Sequence, residues 1–334
     1  MEAQSPAVAA PQNSTTVRSP LLPWPLRAGL SALAAASPRL ASSASARLFM
    51  TPPHALRSRG RDALARGTPV AFPHRGGRLR AWRFGRGPAV LLLHGWGGSA
   101  AQLAPLAEAL AAAGLGAVAL DGPAHGASSG RVASLVHFAD ALVTAARATG
   151  ARAALGHSFG GAAVAYAALR GLPLDAAVIV GAPSTPIPFF QRFADALALD
   201  RPRRSALRAA LEDRVGVPMD TLELPRHVPA GAPPLLVVHD RGDREVPYDD
   251  GAAYATAWPE ARLLPTEGLG HWRVLRDRQV LDEAVAFIAA RVPRCACGRP
   301  AAEVAPEPRC EGCALAEDLW DRAGRRARIA RRAG

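Results

Sequence analysis

Between about Val70 and Val292 the chain alternates short apolar runs with longer stretches of helical periodicity. The apolar runs at 79–84, 89–94, 116–121, 151–156, 176–180, 235–238 and 261–264 predict strands. Amphipathic stretches at 100–113, 135–149, 160–169 and 249–258 predict helices between them, and a last helix is expected over 277–291. Strand–helix–strand alternation predicts an α/β fold with a mainly parallel sheet covered on both faces. Val90-Leu91-Leu92-Leu93 and Leu235-Leu236-Val237-Val238 are apolar at every position, as a central parallel strand requires.

Residues 184–232 break the alternation. They hold two helical patterns, at 189–199 and 203–214, and prolines at 186, 188, 202, 218, 225 and 229. This predicts a helical insertion. Phe189, Phe190, Phe193, Leu197 and Leu199 in it could line an apolar pocket or pack the insertion onto the body, the second being the commoner use of such a stripe. Residues 1–66 form an N-terminal extension rich in Ala, Ser and Pro. A disordered start is expected there, then a helix over 26–50 broken at Pro38. The α/β body is expected at 67–293 and a Cys- and Arg-rich tail at 294–334.

Composition narrows the class without naming a partner. The 334 residues are 49% apolar and 20% charged, which excludes a mostly disordered chain, a collagen-like repeat and a small disulfide scaffold. No apolar run approaches the ~18 residues of a membrane span. The net charge is +12, but all 40 basic residues are arginine and Asn13 is the only asparagine. Such a skew reads as GC-rich coding bias, so no nucleic-acid partner is expected. The apolar stretch at 28–36 lies far from the N-terminus for a secretory signal, and a cytoplasmic protein is expected.

The chemistry centres on Gly156-His157-Ser158-Phe159-Gly160, between a predicted strand and a predicted helix. A serine on so sharp a turn presents its hydroxyl outward, and the flanking glycines avoid clashes. A hydroxyl needs a base to become a nucleophile. His271, in the loop after the last predicted strand, lies on the same carboxyl edge of a parallel sheet. The base needs a carboxylate partner. Asp243 is the expected one, with Asp240 and Glu245 as rivals in the same loop. The turn His94-Gly95-Trp96-Gly97-Gly98 follows a strand and can aim a backbone N–H at an oxyanion; Trp96 and Phe159 are the expected donors. No lysine follows, so a Walker-type phosphate loop is excluded. His94 is expected to brace its loop rather than act as a base.

These motifs resemble the α/β-hydrolase superfamily over roughly residues 70–292. The resemblance includes Asp121-Gly122-Pro123-Ala124-His125-Gly126, and the order Ser158, Asp243, His271 is that of the family's triad. It implies an eight-stranded, mostly parallel sheet and a lid before the acid-bearing strand, matching 184–232. Implied too is acyl transfer to water on a small-molecule acyl substrate, with no catalytic cofactor. A carboxylic-ester hydrolase is the expected outcome. Thioesterases, C–C bond hydrolases and cofactor-free peroxidases use the same triad, and a non-catalytic binding protein of this fold is the competing class. Nucleophilic Asp enzymes of the family are disfavoured by Ser158.

All four cysteines fall in the tail, as Cys295-x-Cys297 and Cys310-x-x-Cys313. Four thiolates so paired could bind a structural zinc tetrahedrally; disulfides or free thiols are the alternatives.

Overall fold

The computed structural model describes residues 22–53 and 61–292. Eight strands form one sheet: β1 (Thr68–His74), β2 (Gly77–Phe84), β3 (Ala89–Leu93), β4 (Gly116–Leu120), β5 (Ala153–His157), β6 (Ala176–Val180), β7 (Leu235–Asp240) and β8 (Ala261–Thr266). Their spatial order is β1-β2-β4-β3-β5-β6-β7-β8. β2 runs antiparallel to both its neighbours, and every other pairing is parallel. Every residue of β3, β4, β5, β6 and β7 is buried, which explains their unbroken apolar character. The expected strands all form, at most two residues away at either end. The one strand that the apolar runs do not predict is β1, whose Pro69 and Pro73 break the strand signal. It is tolerated because β1 is an edge strand that pairs only with β2.

Helices α3 (Ala104–Ala112), α4 (Leu135–Thr149), α5 (Phe159–Leu169), α8 (Tyr248–Ala257) and α10 (Arg278–Ala289) sit where periodicity predicts helices. The first of these opens with a 3-10 turn at Ala100–Leu103. Ser134 caps α4 by accepting from the His137 N–H, and Gly150 ends it in the left-handed conformation. The two apolar layers on the sheet faces are separate. One joins the α4–α5 side to Leu91, Leu93 and Val237; the other joins α3 and α10 to Val90, Leu92 and Val238. Alternate residues of the same strands feed opposite cores.

The insertion forms α6 (Ile187–Ala196), α7 (Arg201–Val215) and two short 3-10 turns, at Met219–Leu222 and Leu224–His227. Ahead of the sheet come α1 (Trp24–Ala36) and α2 (Pro38–Phe49), broken at an extended Ser37. Pro38 sits at the first position of α2, where its missing N–H costs nothing. The second of these helices packs on the insertion: Ala46 and Met50 share an apolar cluster with Phe190, Leu207, Leu211 and Met219. The start expected to be disordered and the cysteine tail both lie outside the described residues, and with them Cys295, Cys297, Cys310 and Cys313. Among the described residues no helix is long and apolar enough to cross a membrane.

Candidate active site

Ser158 occupies the one-residue turn between β5 and α5, with φ +53° and ψ −123°. For a non-glycine residue this is strained backbone, of the order of 1–3 kcal/mol, and it persists because its surroundings fix it. The Ser158 N–H donates to Val180 O at 2.8 Å. Packing leaves no choice at the flanking glycines: a Cβ on Gly160 would lie 2.2 Å from Leu93 O, and one on Gly156 would lie 2.2 Å from Gly160 O. The serine turn is thereby pressed against the end of β3. Phe159 is the first residue of α5, so its N–H has no acceptor within the helix.

His271 lies in the short helix α9 (Gly270–Arg273), buried and beside Asp243. Its Nδ1 is 2.7 Å from Asp243 Oδ2. The side chains are 3% and 1% exposed, so water does not screen the pair. The other carboxylate oxygen of Asp243 accepts from the amides of Glu245 at 2.8 Å and Val246 at 3.0 Å. Burial alone would raise the Asp243 pKa; the His271 and backbone hydrogen bonds outweigh it and hold the carboxyl below its ordinary value. An ionised carboxylate only accepts, so the shared proton resides on His271 Nδ1. That leaves Nε2 as the basic nitrogen. Gly181, at φ +55°, lets the chain pass the pair; a Cβ there would lie 3.2 Å from His271 Nδ1 and 3.3 Å from Asp243 Oδ2.

The three acids of this loop take three different positions. Asp243 holds Nδ1. Asp240 accepts from Gly242 N, Leu269 N and Thr266 Oγ1, each at 2.9 Å, and so ties the acid loop to the histidine loop. Burial would raise its pKa, but these donors and Gly270 bring it below the ordinary value. Glu245 accepts from Trp272 Nε1 at 2.5 Å, with its other oxygen 3.8 Å from His271 Nε2.

Further histidines brace the site. His157 Nε2 donates to the backbone oxygen of His271 at 2.8 Å. Burial, with His271 nearby, pushes its pKa down to about 3, so it is neutral. His94 Nδ1 donates to Gly95 O at 2.7 Å while Nε2 accepts from Gly122 N at 2.9 Å. Burial lowers its pKa to about 4, and it braces its loop as its position predicts. His125 accepts from the Gly97 N–H at 3.0 Å, and Asp121 accepts from Ala100 N and Ala127 N. Sequence reasoning missed the His125 contact; the histidine in the Asp121-Gly122-Pro123-Ala124-His125 loop was its signal. Trp96 lies in the turn after β3, its ring 5.3 Å from that of Phe159 and edge-on to it.

Beside this turn is a cavity of about 200 Å3, bounded by Trp96, Phe159, Ala162, Phe189, Leu211 and Met50 among others. The insertion's aromatic stripe is divided. Phe189 lines the cavity, whereas Phe190 and Phe193 pack with α2, the ring of Phe193 lying 5.1 Å from that of Phe49. The root of the insertion is pinned to α8. Tyr254 Oη donates to Pro183 O at 2.8 Å, and Asp250 accepts from the Ser184 N–H and hydroxyl.

A parallel sheet with β2 reversed, a serine at the sharp turn after β5 and a helical insertion between β6 and β7 define the α/β-hydrolase fold, and this protein has it. The family model for the alpha/beta hydrolase fold matches residues 88–229. Among solved structures, Est1E from Butyrivibrio proteoclasticus, determined with ferulic acid bound, is similar at TM-score 0.54 and 19% identity, over 66% of this chain and 98% of that one. The esterase Pf2001 from Pyrococcus furiosus is similar at TM-score 0.53 and 17% identity, over 72% and 99%. A meta-cleavage product hydrolase from Pseudomonas fluorescens IP01 is similar at TM-score 0.50 and 18% identity, over 65% and 96%. No curated protein matches the sequence.

Proposed function

We propose that the protein is a serine hydrolase that cleaves a carboxylic ester or a related acyl substrate. The observation that carries this is the buried His271–Asp243 pair at 2.7 Å, which leaves Nε2 basic on the sheet edge that carries Ser158. The hydrolase fold supports it, and so does the apolar cavity beside Phe159. Ser158 Oγ attacks the carbonyl carbon as His271 Nε2 takes its proton. Asp243 stabilises the imidazolium, and the amides of Trp96 and Phe159 hold the oxyanion. His271 then passes the proton to the leaving alkoxide as the C–O bond breaks. In the second half, His271 deprotonates water, which attacks the acyl carbon; the C–Oγ bond breaks, His271 returns that proton to Ser158 Oγ, and the acid leaves. None of these steps calls on a cofactor. The paired cysteines carry a separate proposal on sequence alone, a structural zinc, read by the metal content of the purified full chain.

Labelling with a fluorophosphonate followed by peptide mass spectrometry tests the hydrolase reading. The expected result is an adduct on Ser158 that is lost on denaturation and in His271→Ala. A folded protein that takes no label would overturn it.

A further inference from the structure

The cavity beside Phe159, the residue after Ser158, is walled in part by a segment of the chain that precedes the sheet. On one side are Trp96, Phe159 and Ala162, which flank the nucleophile turn; opposite are Phe49 and Met50 at the end of α2, with Leu211 of α7. Three polar side chains of the lining are engaged by their own loops and helices. Ser134 accepts from His137 N, Thr185 Oγ1 accepts from Ile187 N, and Glu212 Oε1 accepts from Arg208 Nε and Met219 N. The rest of the lining is almost wholly aliphatic or aromatic, which suits an apolar chain.

The wall is fastened to the rest of the molecule at several points. Ala133 N donates to Met50 O at 2.8 Å, and Arg214 Nη2 donates to Ser43 Oγ at 2.6 Å. At the start of the segment, Leu22 N donates to Ala196 O at 3.0 Å. Met50 is buried against Leu211 and Met219, and Phe49 packs edge-on against Phe193.

We propose that Phe49 and Met50 are specificity-determining residues, with the N-terminal helix α2 closing an apolar pocket that selects acyl chains of medium length. The proposal rests on the serine hydrolase reading. About 200 Å3 holds roughly seven groups of the ~30 Å3 that a water, or a methylene of similar size, occupies in a liquid. Each buried methylene improves kcat/KM by roughly fourfold until the pocket is full. The optimum then falls at about six to eight acyl carbons.

The test is kcat/KM for p-nitrophenyl esters from acetate to dodecanoate. In the wild type it should rise to hexanoate or octanoate and then fall. Met50→Trp should lower the octanoate-to-acetate ratio about tenfold or more, and Met50→Ala should move the optimum to longer chains. Ratios unchanged in folded variants would overturn the proposal. Should Met50→Trp not fold, Phe49→Leu, which reshapes the same wall, is expected to change the ratio, and an unchanged ratio carries the same refutation. Should Ser158 take no fluorophosphonate and no ester be hydrolysed, the hydrolase reading has failed, and the pocket is tested alone by calorimetric titration with 1-octanol. Saturable binding that Met50→Ala alters supports the wall; no saturable binding overturns it.

Discussion

The sheet edge and the helical cap above it are built by different means. At the edge, backbone constraints fix every position: Ser158 is strained into its turn, Gly160 lies against the end of β3, and Asp243 is held by two amides as well as His271. In the cap, side-chain packing fixes position. Phe49, Met50, Phe190, Phe193 and Leu211 interdigitate between helices far apart in sequence, with Arg214 and Ser43 as a polar fastening. The contrast teaches where change is tolerated. Backbone-defined geometry at the edge admits almost no substitution. A packed apolar wall accepts volume-conserving ones at a cost below about 1.5 kcal/mol.

Substitutions on the two sides should break this contrast unequally. The largest effect is expected from Ser158→Ala, with kcat falling by about 10⁴ to 10⁶-fold and little change in the unfolding midpoint. Asp243→Asn should cost about 10⁴-fold in kcat by disfavouring the required His271 tautomer. Asp240→Asn, one loop position away in role, should instead appear as a loss of about 1–3 kcal/mol in urea unfolding, because it weakens loop hydrogen bonds. Comparable kcat losses from both variants would erase the distinction between them.

The pH dependence of stability sharpens the same comparison. His94 and His157 have folded pKa values of about 4 and about 3, below the ordinary 6.5. Below 6.5 the unfolded chain binds protons that the folded chain does not, so their contribution is full above 6.5 and is lost as pH falls. Each histidine should cost about 1.4 kcal/mol per pH unit, from 6.5 to about 4 for His94 and on to about 3 for His157. Urea titrations at pH 7.5 and 5 measure it; the slope should flatten in His94→Asn.

Smaller effects belong to the cap. Tyr254→Phe leaves the buried Pro183 oxygen without its donor and should cost about 1–2 kcal/mol, raising KM more than it lowers kcat. Arg214→Ala removes an exposed fastening and should cost under about 1 kcal/mol by thermal unfolding.

Much of the edge was legible in the sequence because its signals are local. Five fully buried strands write themselves as apolar runs, and the strand–turn–helix around Ser158 needs glycines at fixed offsets. The edge strand β1 was not legible as an apolar run, since an edge tolerates Pro69 and Pro73 where a centre would not. The acid loop offered Asp243 with Asp240 and Glu245 as rivals; loop register decides which one reaches His271 Nδ1, and register is a three-dimensional property.

The sequence by itself determined the order of the strands from β2 onward and of the helices between them, the serine turn, and the presence of a helical insertion, since periodicity and steric punctuation act over a few residues. Only the tertiary structure decided that α2 packs against that insertion, that Phe189 faces the cavity while Phe190 and Phe193 do not, and that Met50 meets Leu211. Those outcomes depend on which apolar surfaces exclude water together across long stretches of chain. Hydrophobic burial is non-directional and does not encode its partner locally.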